Sequence, residues 1–171
     1  MRDTLVTTYL EMTDRSQFKP VYLQDAPSVM VMPVGVPDVA FYLFLYEEVG
    51  RKWHWRDRIL MPKDQLQAIL SSADTSLWVM YDNGSPAGYV ELHQDGVAVE
   101  IAYFGLREGF IGRGLGKHLL SFGIEQAWSM NAQRVWVHTC NLDGPHALAN
   151  YKARGFQVYD VTEEPMPEAY Q

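Results

Sequence analysis

The alternation of apolar and polar positions divides the chain into predicted strands and helices. Period-two or β-branched runs predict strands at residues 4–12, 29–34, 75–81, 88–93, 97–104, 134–140 and 156–161. Apolar residues three and four positions apart predict helices at 38–50, 63–70, 115–128 and about 144–154. Residues 51–58 are predicted as a loop or a helix end. The order of elements indicates an antiparallel meander followed by crossovers with some parallel pairing.

This element order predicts an α/β (α+β) fold, with a mixed, mostly antiparallel central sheet flanked by helices. The composition fits one domain over residues 1–171, because 47% of the 171 residues are apolar and 20% are charged. The single cysteine, Cys140, excludes an intramolecular disulfide framework and is interpreted as a small, half-buried residue. No Cys/His pair has zinc-ligand spacing, so we expect no metal.

The charge and the absence of apolar segments limit the expected partners. A net charge of −7 without any basic run argues against nucleic acid or an anionic membrane as the main partner. The N-terminal residues contain no apolar signal core, and no stretch reaches membrane-spanning length, so we expect a cytoplasmic protein. The exposed edges of the predicted sheet permit a homodimer but do not require one.

The most informative stretch is a predicted strand, a glycine-rich turn and a helix start around residues 106–120. Gly112, Gly114 and Gly116 leave backbone amides open at a helix N-terminus, where unpaired N–H groups and the helix dipole attract anions. Arg113 and Lys117 add positive charge. The stretch therefore predicts a phosphate or pyrophosphate site.

Two common phosphate motifs do not fit this stretch. A dinucleotide fingerprint starting at Gly112 needs a glycine at position 117, which is Lys117. An ATP-type P-loop needs a glycine at position 111 and Ser or Thr at 118, where Ile111 and His118 stand.

The stretch resembles the acyl-CoA pyrophosphate loop of the GNAT N-acetyltransferase superfamily, Gln/Arg-x-x-Gly-x-Gly/Ala, although Ile111 replaces the usual polar residue. A second segment, from Ala147 through Tyr151 to Gly155 and Phe156, resembles the superfamily's Ala-x-x-x-Tyr-x-x-x-Gly-Phe pattern. The resemblance covers residues 75–161. It implies a GNAT fold in which 1–74 form the acceptor side and 75–161 bind acetyl-CoA.

The resemblance also implies which residues contact acetyl-CoA as a cosubstrate. The strand before the loop is expected to splay from its neighbour after Phe104, leaving the backbone of Phe104, Gly105 and Leu106 to pair with pantetheine. The pyrophosphate is expected on residues Ile111, Gly112, Arg113, Gly114, Leu115, Gly116 and Lys117. The family often has an Asn three residues before Ala147, but that position is Gly144 here. Asn141, Asp143 or no residue takes the place of this Asn.

Direct acetyl transfer to an amine in a ternary complex needs a base and an acid. Glu100 matches a position at which some family members carry a glutamate base, and Glu91 is the runner-up. Tyr151 matches the tyrosine that can protonate the leaving thiolate, although a packing role is the alternative for it. His138 could shuttle protons from its strand, but a structural imidazole is favoured.

The sequence also contains candidate contacts for the acceptor. Trp53, Trp55 and Glu91 are candidate acceptor contacts, and the alternative for the two tryptophans is that they pin an irregular loop onto the core. We expect a small primary amine as the acceptor. A protein amino group is the alternative within enzymes, and a non-catalytic acyl-CoA-binding sensor or interaction module is the alternative outside them.

Overall fold

A computed structural model describes residues 3–171, and its strands form one seven-stranded sheet. The strands are β1 (Thr4–Met12), β2 (Val29–Pro33), β3 (Thr75–Asp82), β4 (Ser85–Asp95), β5 (Ala98–Leu106), β6 (Arg134–Cys140) and β7 (Gln157–Pro165). Each corresponds to a predicted strand, and the bounds of β1 and β6 agree with the prediction. The β-branched and aromatic runs therefore located the sheet.

Within residues 3–171, five α-helices connect or cover these strands. They are α1 (Val39–Gly50), α2 (Asp57–Leu60), α3 (Lys63–Ser71), α4 (Leu115–Ser129) and α5 (Ala147–Ala153). Asp38 caps α1, because its Oδ1 accepts a hydrogen bond from the N–H of Phe41 at 2.9 Å. Among residues 3–171, no helix has the length and apolar character needed to cross a membrane.

The strand order across the sheet is β2-β3-β4-β5-β6-β1-β7. The pairs β2–β3, β3–β4 and β4–β5 are antiparallel, so the predicted meander is present. The pairing of β5 with β6 is parallel and covers three positions, from Ala98–Arg134 to Glu100–Trp136. The sheet is therefore mixed and mostly antiparallel, and helices flank it, which confirms the predicted fold class.

The first strand of the chain lies between two strands from its other end. β1 pairs antiparallel with β6 over Thr7–Cys140 to Met12–Val135, and with β7 over Thr4–Pro165 to Glu11–Gln157. The sequence predicted β1 as a strand but not its neighbours. β6 and β7 are consequently parallel to each other without being paired.

Apolar side chains cover the two faces of the sheet with different helices. One cluster joins α4 and α5 to the sheet through residues such as Leu119, Ile124 and Tyr151. The other joins α1 and α3 to the opposite face through Tyr46, Leu66 and others. Each face of β5 therefore contacts a different set of helices.

Residues 163–171 contain both exposed positions and positions that contact the rest of the fold. β7 continues to Pro165, and Met166 is buried with 9% exposure. The Tyr170 hydroxyl donates a hydrogen bond to Asp57 Oδ1 at 2.7 Å. The segment therefore returns from the edge of the sheet to α2, and short-range pattern could not reveal this contact.

Candidate active site

A gap opens between β5 and β6 beyond their last paired residues, Glu100 and Trp136. We expected the two strands to part after Phe104, so the separation begins earlier than predicted. β5 continues to Leu106 and keeps its pairing with β4 on the other side. The edge of β5 from Ile101 onward therefore faces the gap without a partner strand.

Backbone alternation determines which amides of β5 face the gap. The N–H of Arg107 donates to the carbonyl of Ala87 at 2.8 Å, one residue beyond the Leu106–Gly88 pair. In an antiparallel ladder alternate residues bond to the same neighbour. The N–H groups of Phe104 and Leu106 are therefore directed away from β4 and toward the gap.

The glycine-rich loop lies between β5 and α4. Gly112 and Gly114 have φ angles of 87° and 77°, a left-handed conformation that favours glycine. Gly114 is the N-cap of α4 and supplies no side-chain cap, so the first N–H groups of this helix have no side-chain acceptor there. Ile111 and Lys117 are exposed. The loop thus fits the phosphate site that the sequence predicts.

Arg113 is held differently from the expectation. Its Nη2 donates to Asp82 Oδ2 at 2.7 Å, and its guanidinium lies 5.1 Å from the centre of the Phe110 ring. Asp82 also accepts from the hydroxyl of Ser28 at 3.0 Å. Arg113 therefore ties the loop to the β3–β4 turn, and the structure gives it a partner other than phosphate.

Tyr151 lies on α5 and faces β5 from the α4 side of the sheet. Its ring makes edge contacts with Phe104 at 6.3 Å and Phe156 at 6.0 Å between ring centres. The hydroxyl forms no hydrogen bond with residues 3–171. Burial, with a smaller contribution from Asp143, raises the pKa of the phenol above its usual range. The group therefore keeps its proton at neutral pH.

Glu100 occupies the last paired position of β5, where the gap begins. Its side chain is 19% exposed, and Oε1 lies 3.5 Å from Nδ1 of His138. The ladder positions His93 of β4 opposite Glu100. A carboxylate therefore lies at the base of the gap, next to an imidazole that is 45% exposed.

Glu91, the second carboxylate considered, lies on the same face of the sheet as Glu100 but is enclosed there by α1 and Arg58. It accepts a hydrogen bond from the Tyr42 hydroxyl at 2.6 Å and forms an ion pair with Arg58 at 2.9 Å. Burial raises the pKa of Glu91, although Arg58 and Tyr42 act in the opposite direction. With 1% exposure, Glu91 is not placed to contact an acceptor.

The two tryptophans hold the connection between α1 and α2 against the body of the protein. The Trp55 ring lies 5.3 Å from both Tyr46 and Tyr103, and its Nε1 donates to Asp143 at 3.4 Å. Trp53 packs so closely on Gly144 that a Cβ there would approach its ring to 3.2 Å. Trp55 therefore spans from β5 to the end of β6, whereas Trp53 pins the loop.

Asn141 and Asp143 follow β6 and differ in what they bind. Asn141 accepts from the N–H of Val6 at 3.1 Å and donates to the carbonyl of Thr4 at 2.9 Å, so its amide is occupied by β1. Asp143 Oδ2 accepts from the hydroxyl of Thr139 and the N–H of Cys140. Both side chains are therefore engaged by other groups of the protein.

Cys140 ends β6 and is half-buried, as expected from its position. Burial, followed by the charge of Asp143, raises the pKa of its thiol. A raised thiol pKa lowers the thiolate fraction and therefore the reactivity. Within residues 3–171, no cluster of three or more His, Cys, Asp or Glu could hold a metal ion.

Sequence reasoning missed three residues near the gap: Asp57, Arg58 and Tyr170. The Tyr170 hydroxyl lies within electrostatic range of Tyr103 on β5 and Cys140 on β6, besides its hydrogen bond to Asp57. The concentration of cations and indoles at 51–58 was a signal for this region, but nothing local linked it to residue 170.

Comparison with known proteins agrees with this geometry. The chain is similar to the structure of a functionally unknown conserved protein from Staphylococcus epidermidis (TM-score 0.70, 18% identity, 94% of this chain and 60% of that chain). It is also similar to a GCN5-related N-acetyltransferase from Sphaerobacter thermophilus (TM-score 0.68, 18% identity, 96% of this chain and 52% of that chain). The chain thus spans between half and two thirds of the length of these two structures.

An aminoglycoside acetyltransferase from an uncultured soil metagenomic sample, in complex with trehalose, is also similar (TM-score 0.61, 14% identity, 74% of this chain and 87% of that chain). At these identities the likeness shows the fold alone. A family model provides the assignment, because the Acetyltransferase (GNAT) family matches residues 42–156, which is more than half of the chain. The protein belongs to the GNAT family of acetyltransferases.

Proposed function

We propose that the protein is an acetyl-CoA-dependent N-acetyltransferase that acetylates a small primary amine by direct transfer in a ternary complex. The observation that supports this proposal is the gap between β5 and β6. The chain that follows β5 leads to the N-terminus of α4, which has no side-chain cap, and the carboxylate of Glu100 lies at the base of the gap. Residues 75–161 are proposed as the cofactor-binding core, and 1–74 as the acceptor side.

The glycine-rich loop would hold the pyrophosphate of acetyl-CoA through backbone amides at the start of α4. The two left-handed glycines leave these amides unobstructed by side chains, and the helix dipole favours the negative charge. The N–H groups of Phe104 and Leu106 would pair with pantetheine and polarise the acetyl carbonyl. We assign Arg113 a supporting role here, since its guanidinium is bound to Asp82.

Glu100 would take the proton from the ammonium form of the acceptor, which must be uncharged to attack. Phe104 and Leu106 would stabilise the oxyanion, and Tyr151 would protonate the departing thiolate. The Tyr151 hydroxyl has no hydrogen-bond partner among residues 3–171, so it is free to donate, and its raised pKa keeps it protonated at neutral pH. Cys140 is given no covalent role, because its raised pKa disfavours the thiolate.

A small acceptor is supported by the groups around the mouth of the gap. Trp55 spans from Tyr103 to Asp143, and Tyr170 lies within range of both Tyr103 and Cys140. The exposed carboxylate of Asp57 beside them favours a cationic amine.

The test is a calorimetric titration with acetyl-CoA and free CoA, with NADH and ATP as controls. We expect binding of the two CoA species and loss of binding in Gly114→Val, because a β-branched residue disfavours a φ of 77°. Gly109→Ala is the matched control, since Gly109 is exposed and a Cβ there meets no atom within 4 Å. Failure to bind CoA, or a preference for NADH or ATP, would overturn the proposal.

If CoA binds, thiol release is then measured with a panel of amines that includes polyamines and aminoglycosides. We expect turnover with at least one amine and its loss in Glu100→Gln, with CoA affinity unchanged. Binding without turnover on any amine would favour the non-catalytic alternative. Turnover on a protein amino group alone would correct the acceptor class.

A further inference from the structure

We propose that His138 is a proton relay that passes the proton from Glu100 to solvent during turnover. This inference rests on the proposed role of Glu100 as the base. The sequence favoured a structural imidazole for His138. In the structure its imidazole is nearly half exposed and lies beside the Glu100 carboxylate, which a purely structural role does not require.

The two side chains meet across the start of the gap. Glu100 pairs with Trp136, and His138 lies two residues further along β6, so both side chains point to the same face of the sheet. Oε1 of Glu100 and Nδ1 of His138 are 3.5 Å apart. The exposed fraction rises from 19% for Glu100 to 45% for His138. The imidazole is therefore the more exposed of these two neighbouring groups and can pass a proton from the carboxylate to water.

Aromatic neighbours fix the orientation of the imidazole. The His138 ring lies 5.8 Å from Tyr9 of β1 and 6.1 Å from Trp136, with interplanar angles of 39° and 31°. These rings restrict the rotation of the side chain while leaving it nearly half exposed. A held ring keeps one nitrogen at the carboxylate, which is what transfer between fixed groups requires.

Other ionisable groups near Glu100 are less suited to this role. His93 lies opposite Glu100 in the β4–β5 ladder, but no ion-pair contact joins the two among the described residues. Glu91 is already paired with Arg58, and Glu11 of β1 with Arg134. Tyr9 packs on the relay ring itself. His138 is thus the nearest group that can both accept a proton and reach solvent.

The proposed step is balanced in protons. The acceptor ammonium loses one proton to the Glu100 carboxylate, and the resulting carboxylic acid passes it to the neutral imidazole of His138. The imidazolium then releases a proton to water or buffer, which restores the ionised carboxylate and the neutral ring. No other reactant is needed.

The test compares turnover of His138→Ala and His138→Gln with wild type, using the best amine from the panel. We expect kcat to fall about 10- to 100-fold in both, at the lower end of general acid–base effects, with CoA affinity unchanged. His93→Gln is the matched control and is expected to stay within about twofold. Free imidazole should restore kcat in His138→Ala, and the rescue should depend on the basicity of substituted imidazoles.

Each outcome separates the relay from the function on which it rests. Loss of CoA binding, or no turnover by wild type, refutes the proposed function and the relay together. Full activity in both His138 variants, while Glu100→Gln is inactive, overturns the relay alone. Lost activity without imidazole rescue, or additive losses in Glu100→Gln/His138→Ala, assigns His138 a structural role and also overturns it.

Discussion

Arg58→Met tests whether the buried pair of Arg58 and Glu91 is a structural unit. Glu91 is 1% exposed and the Arg58 side chain 11%, and their atoms are 2.9 Å apart. Removing one partner of such a pair leaves an uncompensated buried charge and typically costs about 3–5 kcal/mol. We therefore expect the free energy of unfolding at neutral pH to fall by about that amount.

The loss should depend on pH because Glu91 can become neutral. Burial raises the folded-state pKa of Glu91, so this carboxyl favours the folded state while protonated, and that contribution is lost as pH rises through the folded pKa. Arg58 is the first of the groups that lower this pKa. Without Arg58, the pKa of Glu91 should rise further. The loss in free energy of unfolding in Arg58→Met should therefore be largest near pH 7 and smaller near pH 5.

The assay is urea unfolding of both proteins at the two pH values, together with thermal melting. For a chain of this size about 3–5 kcal/mol corresponds to a fall in Tm of roughly 6–20 °C. The double variant Arg58→Met/Glu91→Gln should recover most of the loss, because no charge is left buried. Arg56→Met is the matched control, since no ion pair joins Arg56 to residues 3–171. A loss below about 1 kcal/mol, or an equal loss at both pH values, would refute the reasoning.

Three further predictions concern the acid, the loop and the turn before β7. Tyr151→Phe should lower kcat about 100- to 10,000-fold without changing CoA affinity, and unchanged kcat would exclude the acid role. Asp82→Asn should weaken CoA binding by severalfold in calorimetry, because the charged bond to Arg113 at 2.7 Å is lost, and unchanged affinity would contradict a supporting role for Arg113. Gly155→Ala should lower the free energy of unfolding by more than about 2 kcal/mol, since a Cβ would lie 1.9 Å from the carbonyl oxygen of Gln17 and φ is 109°. Denaturation that matched wild type would refute that last estimate.

The sequence predicted the local elements better than their neighbours in space. The β-branched run at 134–140 and the glycine spacing at 112–116 are local signals, and they located β6 and the start of α4. The position of β1 depends on residues more than a hundred positions away. The sequence of a weakly alternating strand does not indicate which strands it pairs with.

The candidate site shows the same division. The family resemblance predicted Glu100 and Tyr151 as candidate base and acid, and the structure positions both beside the gap next to β5. Spacing could not show that Asn141 is occupied by β1 or that Glu91 is neutralised by Arg58. The partners of these side chains are determined by tertiary contacts, which the periodicity of the sequence does not reveal.

The location of β1 has a consequence for the order in which the protein folds. The hydrogen bond from the N–H of Val6 to Asn141 joins residues 135 positions apart, and β1 also pairs with β7. Contacts of such separation close slowly, because chain entropy is lost before pairing compensates for it. During synthesis β1 must wait for nearly the whole chain, so the wall of the gap that carries His138 is completed among the last parts of the fold.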